Sequence, residues 1–297
     1  MILNYDFYKT FVTLAETNNF SKTAKKLNIV QSTVSTRIQE LEKYLQTTLF
    51  ERTNKAVSLT QSGINFLPFA QRIIAIEEEG LNTIHRINYK NTLNIAVVHS
   101  LYYRFVKNTT KKFMNANDDT SIKININHSN IILEMLSDNL IDIGLVYIKP
   151  KSSKLICTAT FRDEIILVTK NSKNFLDEIT LNELTNLDLL LADLGDGFNE
   201  WLDNQLNKKI DYRLYVDQML EIVNYLKEGF GYAFMLRSLA ENLIRNGDLK
   251  KVTINDISDY ALEGYMVVDK SKLHKKQIAS FIKLINEAID INLLFEP

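Results

Sequence analysis

Two helical segments separated by only three residues constrain the start of the chain more than any other feature. The first segment ends near Leu27, residues 28–30 form the turn, and a second amphipathic helix follows. Helical spacing gives the second helix one narrow apolar face, formed by Val34, Ile38, Leu41 and Leu45. Two helices joined by so short a turn form a helix-turn-helix.

The opposite face of the second helix has an unusual composition. An exposed face selected for solubility would normally carry Glu and Lys, whereas Ser and Thr are only moderate helix formers. This face instead presents Ser32, Thr36 and Gln39, followed by Lys43. The pattern favours contact with a polar partner, although these residues alone leave open a helix that is merely solvated.

The neighbouring segments complete a small domain. A helix is predicted from Tyr5 to Thr17, and Ser21 is the expected N-cap of the next one. After the helix-turn-helix, Leu49-Phe50 and Val57–Leu59 flank a polar tip, Arg52 to Lys55, which is typical of a β wing with two cations.

A single long helix is predicted from about residue 61 to 88. Its largely apolar stripe recurs at alternating steps of three and four, and comprises Phe66, Phe69, Ile73, Ile76, Gly80, Thr83 and Ile87. A stripe of that length needs a partner. The same helix of a second subunit is favoured over packing against the second domain of its own chain.

Strands and helices alternate after Lys90. Strands are predicted at 93–98, 122–128, 142–147, 164–169, 187–193 and 231–236, with helices at 102–115, 130–139 and 218–228. Such alternation predicts parallel sheets covered by helices. Ligands of such sheets bind beyond the carboxyl ends of the strands, often between two lobes.

Composition and charge restrict the class of protein. A length of 297 residues predicts two or three compact units. Residues 1–60 hold eight Lys/Arg against five Asp/Glu, so the basic excess accompanies the helix-turn-helix. The single cysteine, Cys157, excludes an intramolecular disulfide framework and is expected to be a core residue rather than a redox sensor. Neither a signal peptide nor a membrane-spanning apolar run is present, which predicts a cytoplasmic protein without a membrane partner.

No motif for catalysis is found in the sequence. The four histidines lack metal-ligand spacing, and the glycines at 195–197 and 229–231 lack the third glycine of a dinucleotide fingerprint. We therefore predict no enzymatic activity, no catalytic residue, no metal and no cofactor. A cytosolic α/β ligand-binding protein or enzyme with an accessory DNA-binding domain stays open as the alternative.

The first 63 residues carry a specific resemblance. The stretch "FVTLAETNNFSKTAKKLNIVQSTVSTRIQELEKYLQTTLFERTNKAVSLTQSG" is similar to the winged helix-turn-helix of the LysR-type transcriptional regulators. Weaker similarity continues in "DIGLV" at 142–146 and "LKEGFGYAFM" at 226–235. Two positions differ from the usual family pattern: Ser32 stands where proline is common, and Thr36 where arginine is frequent.

The resemblance implies a multidomain fold and its partners. A mainly-α winged helix-turn-helix domain (1–60) would be followed by a long linker and dimerisation helix (61–90). A two-lobed α/β effector domain (91–297) would resemble type 2 periplasmic binding proteins, with lobe I at about 91–160 and 267–297 and lobe II at about 161–266. Expected partners are a double-stranded DNA operator, a small-molecule effector, and further copies of the chain in a homodimer or homotetramer.

The resemblance and the chemistry of DNA together select candidate site residues. An α-helix fits the major groove, where Gln pairs with adenine and Ser or Thr contacts several base edges. The DNA-binding candidates are Gln31, Ser32, Thr33, Ser35, Thr36 and Gln39 for bases, and Arg37, Lys43, Arg52 and Lys55 for phosphates. Carried over from the family, the effector-binding candidates are Ser100, Leu101, Ser129, Asn130, Tyr147, Gly197, Phe198, Gln218 and Met219.

Overall fold

The chain forms two compact units, residues 1–88 and 89–297. The computed structural model describes residues 4–52, 57–85 and 89–294. Within the first unit the helices are α1 (Tyr5–Thr17), α2 (Phe20–Leu27), α3 (Gln31–Leu45) and α4 (Gln61–His85). Two short antiparallel strands, β1 (Phe50–Arg52) and β2 (Val57–Leu59), form the wing between α3 and α4. The predicted helix-turn-helix, its three-residue turn and the wing are confirmed.

Asparagine side chains define the ends of the first helices. The predicted N-cap Ser21 is wrong. The N-cap is Asn19, whose side chain accepts a hydrogen bond from the backbone N–H of Lys22, and α2 begins at Phe20. Asn18 and Asn28 end α1 and α2 in the left-handed conformation, which asparagine adopts more readily than most residues. Asn18 turns the chain in the two-residue connection between α1 and α2, and Asn28 turns it in the three-residue connection between α2 and α3.

Helices α1, α2 and α3 enclose one apolar core. Phe11, Leu14, Val34, Ile38 and Leu41 are fully buried in it, so the predicted inner face of α3 is confirmed. Residue 45, the last predicted member of that face, is only half-buried.

Helix α4 uses two different faces. Phe66 packs against Phe11, with ring centroids 5.4 Å apart, and therefore contacts the core of its own unit, whereas the sequence prediction placed it in the stripe that pairs with a second subunit. Phe69, Ile73 and Ile76 of that stripe are exposed. The predicted residues at 83 and 87 lie outside the described side chains.

The wing is fixed to α3 and α4 by a few polar contacts. Glu42 Oε1 accepts hydrogen bonds from the backbone N–H groups of Leu49 (2.8 Å) and Phe50 (3.2 Å). Thr60 Oγ1 accepts from the N–H of Gly63 (3.0 Å) and so caps α4. A Cβ at Gly63 would lie 2.2 Å from the carbonyl oxygen of Leu49, so only glycine fits this close approach.

The second unit is built on one ten-stranded sheet. Its strands are β3 (Asn91–Val97), β4 (Thr120–Ile126), β5 (Ile143–Val146), β6 (Leu155–Lys170), β7 (Glu178–Thr180), β8 (Leu189–Ala192), β9 (Leu214–Val216), β10 (Tyr232–Leu236), β11 (Leu249–Asn255) and β12 (Tyr260–Asp269). The order is β4-β3-β5-β12-β6-β10-β8-β9, with β11 on β6 and β7 on β11.

The helices of this unit cover the sheet. They are α5 (His99–Leu101), which continues through a π-helical turn (Tyr102–Val106) into α6 (Lys107–Ala116), then α7 (Ser129–Ser137), α8 (Leu181–Leu184), α9 (Asp196–Leu206), α10 (Ile222–Glu228), α11 (Arg237–Arg245) and α12 (Lys276–Leu294). Short 3₁₀ turns precede α10 and α12, at Met219–Glu221 and Lys270–Lys272.

Two long strands make the sheet mixed rather than purely parallel. The neighbours β3–β4, β3–β5, β8–β9 and β8–β10 are parallel as predicted. However, β6 pairs antiparallel with β12, β10 and β11, and β12 pairs antiparallel with β5. The prediction of parallel sheets is therefore only partly right, because β6 and β12 run through both halves of the unit.

Each half of the second unit has its own core. The first lobe comprises β3–β5 with α5–α7 and α12, and includes Phe105, Phe113 and Phe281 in its main core. The second lobe comprises β8–β10 with α8–α11, and Phe234 and Leu226 lie in its core. Cys157, predicted as a core residue, is instead exposed on β6.

Candidate functional sites

The polar side of α3 forms an exposed surface. Ser32, Thr36, Gln39 and Lys43 are exposed, and Thr33 and Ser35 are half-buried at its edges. The buried side of the same helix is held by Val34, Ile38 and Leu41. Because the apolar side fixes the rotation of α3, the hydroxyl and amide side chains are presented outward on a rigid element.

The first residue of α3 is tied to the preceding helix. The hydroxyl of Ser21 donates a hydrogen bond to Oε1 of Gln31 at 2.9 Å. Gln31 is itself exposed, so this contact restricts the amide without burying it. A restricted amide loses less conformational entropy when it binds a partner.

Arg37 has a different position from the one the sequence suggested. Its guanidinium lies 2.6 Å from the carboxylate of Asp6 and 3.3 Å from the hydroxyl of Thr10. Only 22% of its side chain is exposed. This pairing links α3 to α1 and engages the charge inside the unit, which argues against the predicted phosphate contact.

Of the remaining cationic candidates, only Lys43 has a side chain within the described residues. Lys43 is exposed on the last turn of α3, as a phosphate contact requires. The backbone of Arg52 ends β1, but its side chain, like the whole of Lys55, lies outside the described residues.

A cavity of about 960 Å³ separates the two lobes of the second unit. It includes eight of the nine predicted effector-binding residues, namely Ser100, Ser129, Asn130, Tyr147, Gly197, Phe198, Gln218 and Met219. The first four come from the first lobe and the other four from the second. The volume is in the range of small-molecule sites.

Leu101 is the predicted effector-binding residue that does not line the cavity. It is fully buried in the core of the first lobe with Phe105 and Val106. Ser100 and Leu101 are adjacent on a helical turn and therefore point in different directions. Ser100 faces the cavity, and Leu101 faces the core.

Hydrogen bonds organise the first-lobe wall. Ser100 Oγ donates to the hydroxyl of Tyr147 at 3.3 Å, and the backbone N–H of Tyr147 donates to Ser129 Oγ at 3.0 Å. Burial, with a further contribution from the Asp163 carboxylate, raises the pKa of Tyr147 far above its usual value. The phenol is therefore a neutral hydrogen-bonding group of the cavity wall.

Helix α7 opens directly onto the cavity. Its N-cap residue, His128, makes no side-chain capping hydrogen bond, and Ser129, Asn130 and Ile131 of its first turn line the space. The amide N–H groups at a helix start favour an anionic group.

Several lining residues were not predicted from the sequence. The second-lobe wall includes three carboxylates, Asp193, Asp196 and Asp217. His128 lies on the opposite wall with Nδ1 3.6 Å from Asp193 Oδ2. The aspartates occur in loops and at a helix start, where acidic residues are usually solvated, so their convergence becomes visible only in the folded chain.

A buried ion pair lies at the junction of the lobes. Arg104, in the π-helical turn, is 2.9 Å from Asp163 on β6, and their side chains are only 6% and 2% exposed. Asp163 also accepts hydrogen bonds from the N–H (3.2 Å) and hydroxyl (2.5 Å) of Ser238, at the start of α11. The pair thereby connects the segment after Ser100 to the second lobe.

The described residues contain no cluster of three or more His, Cys, Asp or Glu side chains that could hold a metal ion. In the same parts of the chain, none of the helices has the length and apolar character needed to cross a membrane.

Comparison with known proteins covers both units. Residues 6–64 match the family model of the bacterial regulatory helix-turn-helix protein, lysR family, and residues 88–290 match that of the LysR substrate binding domain. The HTH-type transcriptional regulator CitR of Bacillus subtilis is 29% identical over 274 residues, which cover 89% of this chain and 94% of CitR.

Solved structures share the fold. CbnR, a LysR family transcriptional regulator, aligns with a TM-score of 0.66 at 18% identity, over 97% of this chain and 99% of CbnR. CrgA, a LysR-type transcriptional regulator from Neisseria meningitidis, aligns with a TM-score of 0.57 at 22% identity, over 97% of this chain and 99% of CrgA. With its helix-turn-helix, its two-lobed α/β domain and family matches across both units, the chain belongs to the LysR family of transcriptional regulators.

Proposed function

We propose that this regulator reads its operator with the exposed face of α3 and responds to a small molecule bound between the two lobes. In this proposal residues 1–60 bind DNA, residues 61–90 form the dimer and residues 91–297 bind the effector. The observation that carries the DNA part is the rigid outward presentation of Ser32, Thr36, Gln39 and Lys43. A LysR regulator of the same fold, CbnR, has been solved in complex with its target DNA.

Base readout and phosphate binding are assigned to different residues of this unit. Gln31, Ser32, Thr33, Ser35, Thr36 and Gln39 are proposed to contact base edges, and Lys43, Arg52 and Lys55 to contact phosphates. Arg37 is left out because it is paired with Asp6. Phosphate contacts supply affinity and salt dependence, whereas base contacts supply sequence preference.

The interlobe cavity is the proposed effector site. Its support is the convergence of Ser100, Ser129 and Tyr147 with Gln218 and Phe198 from the other lobe around one space of small-molecule size. A ligand that contacts both lobes stabilises one relative position of them and so shifts the conformational equilibrium. Coupling of this kind typically changes DNA affinity by about 1–3 kcal/mol.

The proposal gives the chain no enzymatic activity, because its family consists of transcriptional regulators. It also places the protein in the cytoplasm, where a bacterial operator is found.

Substitution of two predicted base contacts tests the DNA part. The Gln31→Ala/Ser35→Ala variant is expected to bind its site at least about thirtyfold more weakly, since each base contact contributes about 1–3 kcal/mol of discrimination. Footprinting on the DNA upstream of its own gene, with a salt titration, measures the change. Weak, salt-sensitive binding should persist in the variant.

The matched control is Gln61→Ala, which removes an exposed amide at the start of α4. It should leave the footprint unchanged. If the α3 double variant protects the same site with unaltered affinity, α3 does not read the DNA sequence.

We further propose that the exposed stripe of α4 forms the dimer. Phe69, Ile73 and Ile76 are 61%, 39% and 47% exposed in the single chain, and apolar side chains at near-heptad spacing are typical of helix pairing. Ile73→Glu is expected to convert the oligomer to monomer at micromolar concentration, because a carboxylate would be buried without a partner. Light scattering after size-exclusion chromatography measures the mass.

Gln71→Glu is the control for this substitution, because it adds the same charge at an exposed position two residues away. Its oligomer should persist. An Ile73→Glu variant that keeps the wild-type mass would place the interface elsewhere.

A further inference from the structure

The two walls of the interlobe cavity differ in charge. The second-lobe wall includes the carboxylates of Asp193, Asp196 and Asp217. The first-lobe wall has hydroxyl, amide and imidazole groups but no carboxylate. Among the described residues that line the cavity, none is Lys or Arg. One wall of the cavity is therefore acidic, the other carries polar groups without a carboxylate, and no Lys or Arg side chain among these lining residues neutralises the acidic wall.

All three carboxylates line the second-lobe wall of the cavity. Their charges also act on one side chain, because the pKa of Tyr215, on β9, is raised first by partial burial and then by charges that include those of Asp193, Asp217 and Asp196. Within the described chain, neither Asp196 nor Asp217 has a cation within 4 Å, and Asp193 has only His128 at 3.6 Å. A cationic group in this part of the cavity would lower the mutual repulsion of the carboxylates.

The opposite wall suits an anionic group. Helix α7 is nine residues long and starts at the cavity without a side-chain cap. Its first turn lines the same space as Ser100, which is only 8% exposed. Amide N–H groups at a helix start and neighbouring hydroxyls are the donors that a carboxylate accepts from.

We infer that the effector is a small zwitterion of the amino-acid class, whose ammonium group is bound by Asp193, Asp196 and Asp217 and whose carboxylate faces the start of α7. The inference rests on the proposed effector cleft and specifies its ligand. The ammonium group takes the place of His128 beside Asp193. The rings of Phe198 and Tyr260, 5.5 Å apart, supply an aromatic surface next to the acidic wall.

The fluorescence of a tryptophan beside the cavity can report ligand binding. The only tryptophan of the chain, Trp201, packs against Tyr260 at 4.9 Å and Phe198 at 5.6 Å. Both partners line the cavity, so a ligand that binds there should change the emission of Trp201.

The full-length protein is titrated with each of the twenty common L-amino acids, and with succinate and benzoate as carboxylates that lack an amine. At least one amino acid is expected to bind, and its N-acetyl derivative, which has lost the positive charge, should bind much more weakly. Asp217→Asn should weaken amino-acid binding about tenfold, because the asparagine can still accept a hydrogen bond but no longer supplies a negative charge to the ammonium group. Glu200→Gln, which removes an exposed charge from α9 outside the cavity, should have no effect.

A second variant separates the inference from the proposed function. Asn130→Asp adds a negative charge to the first-lobe wall and should weaken any ligand held there by a carboxylate. The inference is wrong if no amino acid binds, or if N-acetylation of the ligand leaves its affinity unchanged. It is also wrong if the Asp217→Asn variant binds the amino acid with wild-type affinity. Succinate or benzoate binding that only Asn130→Asp weakens would overturn the inference while leaving the cleft as the effector site. Binding that neither variant alters would overturn both.

Discussion

Replacing Asp163 with alanine is expected to lower the free energy of unfolding of the C-terminal unit by about 3–5 kcal/mol. The substitution leaves the Arg104 guanidinium buried without its carboxylate partner, 2.9 Å away in the native chain. It also removes the acceptor of two hydrogen bonds from Ser238. Urea denaturation followed by Trp201 fluorescence measures the loss, because Trp201 packs against the core of the second lobe.

The adjacent residue provides the control. Glu164 pairs with Arg237, but 37% of the Glu164 side chain is exposed. Glu164→Ala should therefore cost no more than about 1 kcal/mol. Equal losses in the two variants would mean that burial of the Arg104–Asp163 pair does not determine its contribution.

Gly231→Ala is expected to destabilise the second lobe by about 3 kcal/mol or more, through backbone strain and steric overlap together. Gly231 has φ +155°, and a Cβ there would lie 2.0 Å from the carbonyl oxygen of Asp188. That carbonyl already accepts the backbone N–H of Tyr232 at 2.9 Å, so it is not free to move. The same fluorescence-detected denaturation measures the effect.

A second glycine, two residues earlier, distinguishes the effect of backbone conformation from the effect of steric overlap. Gly229 has φ +88°, in the left-handed region, and the atom nearest to an added Cβ there belongs to the flexible Lys170 side chain, 3.3 Å away. Gly229→Asn should cost about 1 kcal/mol or less, because asparagine tolerates this conformation. If Gly231→Ala is equally mild, the close approach to Asp188 does not constrain this position.

The N-terminal unit could be predicted almost completely from the sequence. Its helices have clear apolar faces, and the short turn at 28–30 is typical of a helix-turn-helix. Ser21 and Asn19 are both good N-caps, so the sequence does not distinguish them, and only the hydrogen bond from Lys22 shows that Asn19 is the cap. The pairing of Arg37 with Asp6 cannot be read from local spacing, because the two residues are 31 positions apart in the chain.

The C-terminal unit was predicted less completely. The sequence predicts only 164–169 of the sixteen-residue β6, since the first half of this strand mixes buried, half-buried and exposed positions and has no continuous apolar run. Because the first half of β6 and the whole of β12 are not predicted, the antiparallel centre of the sheet is missed. The Arg104–Asp163 pair was also missed, because charged residues in a helix or strand are normally exposed, and long-range pairing is not encoded in local spacing.

The effector cleft was predicted largely through the family resemblance. Eight of the nine effector-binding candidates line the cavity, and Leu101 does not because neighbouring residues of a helical turn face different sides. The acidic wall had no local signal, since Asp193, Asp196 and Asp217 come from two separate loop regions. Its convergence depends on the parallel order of β8 and β9.

Selection of binding sites from a randomised duplex library tests the central claim most directly. Wild-type protein and the Gln31→Ala/Ser35→Ala variant are each used to select DNA, and the base preferences are compared position by position. If α3 reads base edges, the wild type selects two related half-sites, and the variant loses preference at one or a few positions in each while the others are retained. Identical preferences in the two proteins would contradict sequence readout by α3.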